Sequence, residues 1–153
     1  MRIAAGSDHA GVELKRSLVE HLVALGHQVD DLGADATEPS VDYPLYGAAV
    51  GRAVASGSSD LGLAVCGTGI GIAMAANKVP GVRAALVHDT DTARLARQHN
   101  DANVLCLGAR TTDPAVATAA VDAFLAARFS GLERYGRRLE QLAALDQQMA
   151  EAR

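Results

Sequence analysis

Apolar residues recur along this chain in two rhythms, and the two alternate. Short, nearly continuous apolar runs at residues 2–6, 61–65, 82–87 and 103–108 have the length of strands buried on both faces, and residues 29–32 give a weaker second strand. Between them the spacing lengthens to three or four. Leu14, Leu18, Leu22 and Leu25 share one helical face before Gly26 closes it. Pro44 suits the first turn of a second helix reaching about Ala55, and residues 72–77 form a third before Pro80-Gly81. Residues 88–100, "HDTDTARLARQHN", open on Asp and Thr capping candidates, and a fifth helix runs from about 113 to 128. A last helix carries Leu139, Leu142, Leu145 and Met149 as an apolar stripe, suited to its own domain or to a second subunit.

Strands that alternate with helices require right-handed crossovers and a parallel sheet covered on both faces. The expected fold is therefore α/β and doubly wound (Rossmann-like). It has five parallel strands in the order 2-1-3-4-5, with an extra C-terminal helix, over residues 1–153 as one domain. Composition agrees: 49% of residues are apolar and only 3% aromatic, which favours close helix-on-sheet packing over an aromatic-walled pocket. A net charge of -4 without a basic stripe argues against nucleic acid as partner. The apolar start is too short for a signal peptide and no run reaches membrane-spanning length, so the expected location is the cytoplasm, away from any membrane. Cys66 and Cys106 lie in apolar runs without CxxC or zinc-ligand spacing, which predicts reduced thiols and no structural metal.

In such a sheet a ligand binds where neighbouring connections leave in opposite directions, here beyond strands one and three. Two polar segments fall there: Ser7-Asp8-His9, and Cys66-Gly67-Thr68-Gly69-Ile70-Gly71. The glycines allow a tight turn whose N–H groups approach a ligand at a helix start, an oxyanion hole in outline, and the same field favours a thiolate at Cys66. A structural cysteine on a tight turn fits the same residues. The glycines alternate after the third strand, unlike a dinucleotide fingerprint, and no Gly-Lys-Ser/Thr follows as a P-loop requires. A cysteine phosphatase would place an Arg between Gly67 and Ala73, and a response regulator would place Asp where Cys66 stands. Asp8 is suited to capping the next helix, with His9 solvated, or to work at the crevice mouth. His99 ends its helix, where imidazolium is favoured and a proton can be donated. Arg134 and Arg138 share a helix face and can clamp a phosphate, although exposed pairs of this kind are commonly inert. His21 and His27 read as surface residues, and Glu20 and Asp60 as solvated charges.

The segments "SDHAG", "DYP", "CGTGIGIAMAANK" and "RQHNDANVLCLGAR", followed by Arg134 and Arg138, stand in this order over nearly the whole chain. In this the sequence resembles the family of ribose-5-phosphate isomerase B and galactose-6-phosphate isomerase. The resemblance implies aldose–ketose interconversion of a phosphorylated sugar through an enediolate, with no metal or organic cofactor. It implies Cys66 as the base at C2, with Gly67, Gly69, Ile70 and Gly71 stabilising the negative charge. Relatives lacking the cysteine carry a Glu four residues further on, where this chain has Ile70. By the same resemblance His99 helps open the furanose ring with Thr68 and Asp8 nearby. Tyr43 and Asn100 touch the sugar, and His9, Arg110, Arg134 and Arg138 hold the phosphate. The site is implied to lie at a homodimer interface, His99 and Asn100 meeting the Cys66 of another chain, and dimers can pair into tetramers.

One departure concerns the phosphate end: the family commonly has a Gly-Gly-Arg-His run where this chain reads Glu133-Arg134-Tyr135. Three readings therefore stand at the level of sequence. They are isomerisation of ribose 5-phosphate and ribulose 5-phosphate, the same chemistry on a hexose or tetrose phosphate, and a non-catalytic module that binds a sugar phosphate or nucleotide.

Overall fold

In the computed structural model, which describes residues 1–37 and 39–152, all five expected strands form one sheet. They are β1 (Arg2–Ser7), β2 (Gln28–Asp31), β3 (Leu61–Cys66), β4 (Ala84–Leu86) and β5 (Val104–Gly108). Every pairing is parallel. The helices are α1 (Val12–Ala24), α2 (Tyr43–Ala55), α3 (Ile70–Ala76), α4 (Thr90–Asn100), α5 (Pro114–Ala126) and α6 (Glu133–Glu151). None among the described residues is long and apolar enough to cross a membrane.

The strand order corrects one expectation. The sheet runs β2-β1-β3-β5-β4, so β5 inserts between β3 and β4 instead of closing the edge. Burial explains the insertion. All five residues of β5 and all six of β3 are buried, whereas the three of β4 are half-exposed. The most apolar strands take the centre, and the shorter strand is left with one unpaired edge.

Helices cover both faces. Leu14, Leu18 and Leu22 of α1, Ala93 and Ala96 of α4, and Ala117, Val121 and Phe124 of α5 pack with Ile3, Leu63, Val65 and Leu105 on one side. Val50 of α2 and Ile72, Ala73 and Ala76 of α3 pack with Ala4, Ala64, Cys66 and Cys106 on the other. Right-handed crossovers dictate this division: chain moving from β1 to β2 or from β4 to β5 crosses one face, and chain moving from β2 to β3 or β3 to β4 crosses the opposite one.

α6 runs beside the β4 edge, tied by the Gly81 N–H to Asp146 Oδ2 at 2.7 Å. A cleft of about 430 Å³ remains there, lined by Val82, Ala102, Leu139, Leu142 and Leu145 among others. Within one chain the expected stripe is thus left largely open, with Leu142, Leu145 and Met149 exposed.

Two charges read as merely solvated or superficial are tied into the fold. His21 Nε2 lies 2.6 Å from Asp122 Oδ1, joining α1 to α5. Asp60 accepts the Arg2 backbone N–H at 2.7 Å, which holds its carboxyl below the usual carboxylate range. Lys15, whose side chain is only 3% exposed, donates to Asp31 Oδ1 at 2.6 Å and to the Ala34 carbonyl at 2.7 Å, fixing the loop that leads towards α2.

Phe124 is the largest fully buried side chain. Phe124→Ala is expected to cost about 3–5 kcal/mol of unfolding free energy, measured by urea denaturation, because the sheet and helix side chains packed around it, Ile3, Leu22, Leu105 and Val121 among them, collapse only partly into the space.

Candidate active site

The C-terminal ends of β1, β3 and β5 converge on one polar cluster. At the end of β1 the Asp8 N–H donates to the Val65 carbonyl at 3.2 Å, holding the turn against β3. The Asp8 carboxylate accepts from Ala10 N and Gly11 N at 3.0 and 3.1 Å and so caps the turn into α1, the simpler of its two expected roles. His9 is exposed, but it is not merely solvated. Its Nδ1 lies 3.2 Å from the Val41 nitrogen and accepts that N–H in the tautomer protonated on Nε2. This contact tethers the loop just before Tyr43.

Cys66 ends β3 and is 3% exposed. The Gly69 N–H donates to its Sγ at 3.1 Å, a contact that stabilises negative charge on sulfur. The loop reaches this position because Gly69 adopts φ +77°, a left-handed conformation natural to glycine. A Cβ there would stand 2.5 Å from Leu86 Cδ1 and 2.9 Å from the Leu107 carbonyl carbon, so space also demands glycine. The Ile70 N–H donates to Thr68 Oγ1 at 3.3 Å as α3 begins.

Two side chains close over the loop. The Arg110 N–H donates to the Gly67 carbonyl at 2.8 Å, and its guanidinium lies so near Gly67 that a Cβ would stand 2.9 Å from Nη1. Tyr43, the first residue of α2, lays its ring against Gly71, where a Cβ would meet Cζ at 2.6 Å. Asp8, His9, Tyr43, Cys66, Gly67, Thr68, Gly69, Ile70, Gly71 and Arg110 therefore gather at one edge of the sheet.

The other expected residues gather at the opposite edge. α4 runs against the strands from the end of β4 to the start of β5, so His99 and Asn100 in its last turn lie at the strands' N-terminal side. Strands of five and six residues separate the two edges by roughly 17–20 Å. Arg134 and Arg138, in the first turns of α6, accompany His99: both guanidinium groups approach the Tyr135 ring, which stacks on the His99 imidazole at 4.3 Å. Behind them Asp101 ends α4 at φ 43° and is held by Arg83 at 3.2 Å and Arg97 at 3.0 Å. A single chain thus holds the expected residues in two separate groups and does not bring Cys66 and His99 together.

Sequence reasoning left out Tyr135 and the Arg83–Asp101–Arg97 group. The position of Tyr135 between two arginines already singled out was the available signal; nothing in the sequence pointed to Asp101. The two cysteines differ by their surroundings. Cys106 lies on the same face of the sheet, on β5, completely buried, and burial with the nearby Cys66 pushes its thiol well up. Cys106 is held as a thiol, which leaves Cys66 as the sulfur placed for chemistry.

A sheet of this order, with a cysteine under a glycine loop at its switch point, defines a small doubly wound α/β protein with a candidate ligand site beyond its strands, and comparison with known proteins gives its family. Residues 3–142 match the family model described as Ribose/Galactose Isomerase, and the chain belongs to that family. It is 44% identical over 146 residues to ribose-5-phosphate isomerase B of Escherichia coli strain K12, covering 95% of this chain and 97% of that one. The solved ribose-5-phosphate isomerase B of Clostridium thermocellum superposes with a TM-score of 0.94 at 43% identity, covering 97% of this chain and 99% of that one. The Mycoplasma genitalium enzyme of the same name, solved with ribulose 5-phosphate bound, gives a TM-score of 0.91 at 44% identity, covering 95% and 96%.

Two outcomes are expected. Gly69→Ala should lower turnover about 100-fold or more in steady-state assays, since it displaces the N–H that faces sulfur. A small alkylating reagent should modify Cys66 and leave Cys106 unmodified until the protein is unfolded, as read by peptide mass spectrometry.

Proposed function

We propose that this chain interconverts D-ribose 5-phosphate and D-ribulose 5-phosphate, as a cytoplasmic homodimer serving pentose phosphate metabolism. The observation that carries this reading is the Cys66 sulfur held at 3.1 Å by the Gly69 N–H, under a glycine loop that Arg110 covers at Gly67 and Tyr43 at Gly71. The family match and the ligand of the Mycoplasma genitalium enzyme support the choice of sugar.

The Cys66 thiolate takes the C2 proton of the open-chain aldose, and the electron pair of that C–H bond moves to form the C1–C2 double bond of an enediolate. Negative charge develops on the substrate oxygens, and the backbone of residues 67–71 with the Thr68 hydroxyl faces that charge. Return of the proton to C1, with transfer of the O2 hydroxyl proton to O1, yields the ketose. No electron leaves the substrate, so the chemistry calls for no redox carrier. Before this step the furanose must open, and His99 of a second copy, beside Asp8 and Thr68, delivers the proton to the ring oxygen. Tyr43 and Asn100 hold the sugar. His9 and Arg110 from one copy, with Arg134 and Arg138 from the other, hold the phosphate.

Two features support a dimer with shared sites. The Cys66 and His99 half-sites lie at opposite edges of one chain, so neither is complete without another chain. Each is also bordered by uncovered apolar surface: Tyr43, Leu45, Ile70 and Met74 beside the first, the α6 cleft beside the second. Burial of such faces is what an obligate homodimer requires.

The test is kcat/KM for ribose 5-phosphate beside allose 6-phosphate, galactose 6-phosphate and erythrose 4-phosphate, for the wild type and Cys66→Ala. Preference for ribose 5-phosphate, lost in the variant, is expected. Preference for another sugar would move the substrate and keep the chemistry, and full turnover by Cys66→Ala would remove the base. Mixing Cys66→Ala with His99→Ala chains and letting them exchange should restore about a quarter of wild-type activity, because each mixed dimer contains one intact site. Absence of recovery, with mixed dimers present, would place both residues in one chain's site.

A further inference from the structure

A histidine that moves protons needs a fixed orientation, and this is commonly supplied by a hydrogen bond to one of its ring nitrogens. His99 is oriented differently. Among the described residues no group hydrogen-bonds its ring. The contact that fixes the ring is the face of Tyr135, 4.3 Å between centroids with the planes 18° apart. Tyr135 is itself immobilised: it is 9% exposed, its N–H donates to the Leu132 carbonyl at 2.9 Å, and the preceding linker is tied to α4 by the Ser130 N–H to Gln98 carbonyl bond at 3.0 Å. Its hydroxyl accepts from Arg134 Nη2 at 3.2 Å, and the guanidinium carbons of Arg134 and Arg138 stand 4.9 and 5.8 Å from the ring centroid.

We propose that Tyr135 is a positioning residue with two separable duties: its ring sets the plane of His99 while leaving both imidazole nitrogens free for substrate protons, and its hydroxyl aims Arg134 at the phosphate. The proposal rests on the roles given above to His99, Arg134 and Arg138. A stacked orientation has a physical advantage at this place. A hydrogen bond would occupy one nitrogen and commit the tautomer, whereas a stack fixes the ring plane and leaves both positions available. The two arginines meet the same ring through its π-face and hydroxyl, so one side chain sets the spacing between proton-transfer group and phosphate grip.

The duties come apart in variants. Tyr135→Phe keeps the ring and loses the acceptor, and is expected to hold kcat within about twofold while raising KM and the Kd of inorganic phosphate several-fold. Tyr135→Leu removes the ring and is expected to lower kcat about tenfold. It should also move the His99 carbon-bound proton resonances downfield, because the ring-current shift of the stack is lost. Unchanged kcat in Tyr135→Leu would overturn the ring's role. A kcat loss in Tyr135→Phe equal to that in Tyr135→Leu would assign the effect to the hydroxyl and overturn the separation. Should Tyr135→Leu not fold, Tyr135→Phe and Tyr135→His carry the test, since both keep a flat ring and a fall in kcat for either contradicts the proposal. A wild type without turnover on ribose 5-phosphate would instead refute the isomerase reading. The proposal would then stand or fall on phosphate Kd by calorimetry and on the His99 shifts, an unchanged Kd in Tyr135→Phe or unchanged shifts in Tyr135→Leu overturning it.

Discussion

The chain leaves β3 on the opposite side of the sheet from both strands that flank it, and the candidate site depends on that divergence. The connections after β1 and β5 turn to the face of α1 and α5, while the connection after β3 turns to the face of α3. The Cys66–Gly71 loop therefore has an opening on each side. The Asp8-His9 turn fills one and Arg110 the other, held by Asp8 to Val65 and by Arg110 to Gly67 backbone bonds of 3.2 and 2.8 Å. A central, fully buried strand gives the sulfur a rigid footing, and the parting of the loops brings polar groups from both neighbouring strands beside its loop. Had β5 closed the edge as first expected, Arg110 would have stood one strand further away.

The same polarity keeps Cys66 and His99 apart within one chain. Helices in a parallel α/β fold return against the strands, so a residue at the end of a helix lies at the edge where strands begin. Cys66 ends a strand and His99 ends a helix. No rotamer change brings them together, because the separation is set by strand length. Two copies turned towards one another remove it without any change inside either, and apolar surface borders both half-sites. In the proposed homodimer, association would serve the active-site geometry first and stability second.

Periodicity exposed the elements because apolar spacing reports burial directly, and all five strands and six helices lie close to where it placed them. Order was harder to read, because succession along the chain says nothing of lateral neighbours. Yet the relative burial of "VLCLG" against "AAL" contained the hint that the later strand was the inner one. The residues of the candidate site were named from motifs and their division between two chains was implied by the resemblance; the topology supplies the physical reason, a strand's length between Cys66 and His99. Lys15 and Asp101 were missed for a common reason: each acts through a contact with a segment distant in sequence, or across a helix end, where spacing carries no signal; Tyr135 had a signal in its place between Arg134 and Arg138, but its partner His99 lies on another helix.

Composition misled in an instructive way. An aromatic content of 3% argued against aromatic walls around a ligand, and for the core that inference holds, since Ala, Val and Leu fill the space between sheet and helices. Tyr43 lies outside that core, Tyr46 packs at the border of its α2–α3 side, and Tyr135 is buried in the first turn of α6. Tyr43 covers Gly71, Tyr135 stacks on His99, and Tyr46 packs against Gly33 in the loop clamped by Lys15. Few aromatic side chains suffice because each meets a glycine or a single ring rather than building a cavity. Small residues pack the scaffold closely enough to fix the loops, and the flat, stiff side chains are placed where orientation matters. An average over the chain conceals this division, because it counts aromatic residues without asking what each one touches.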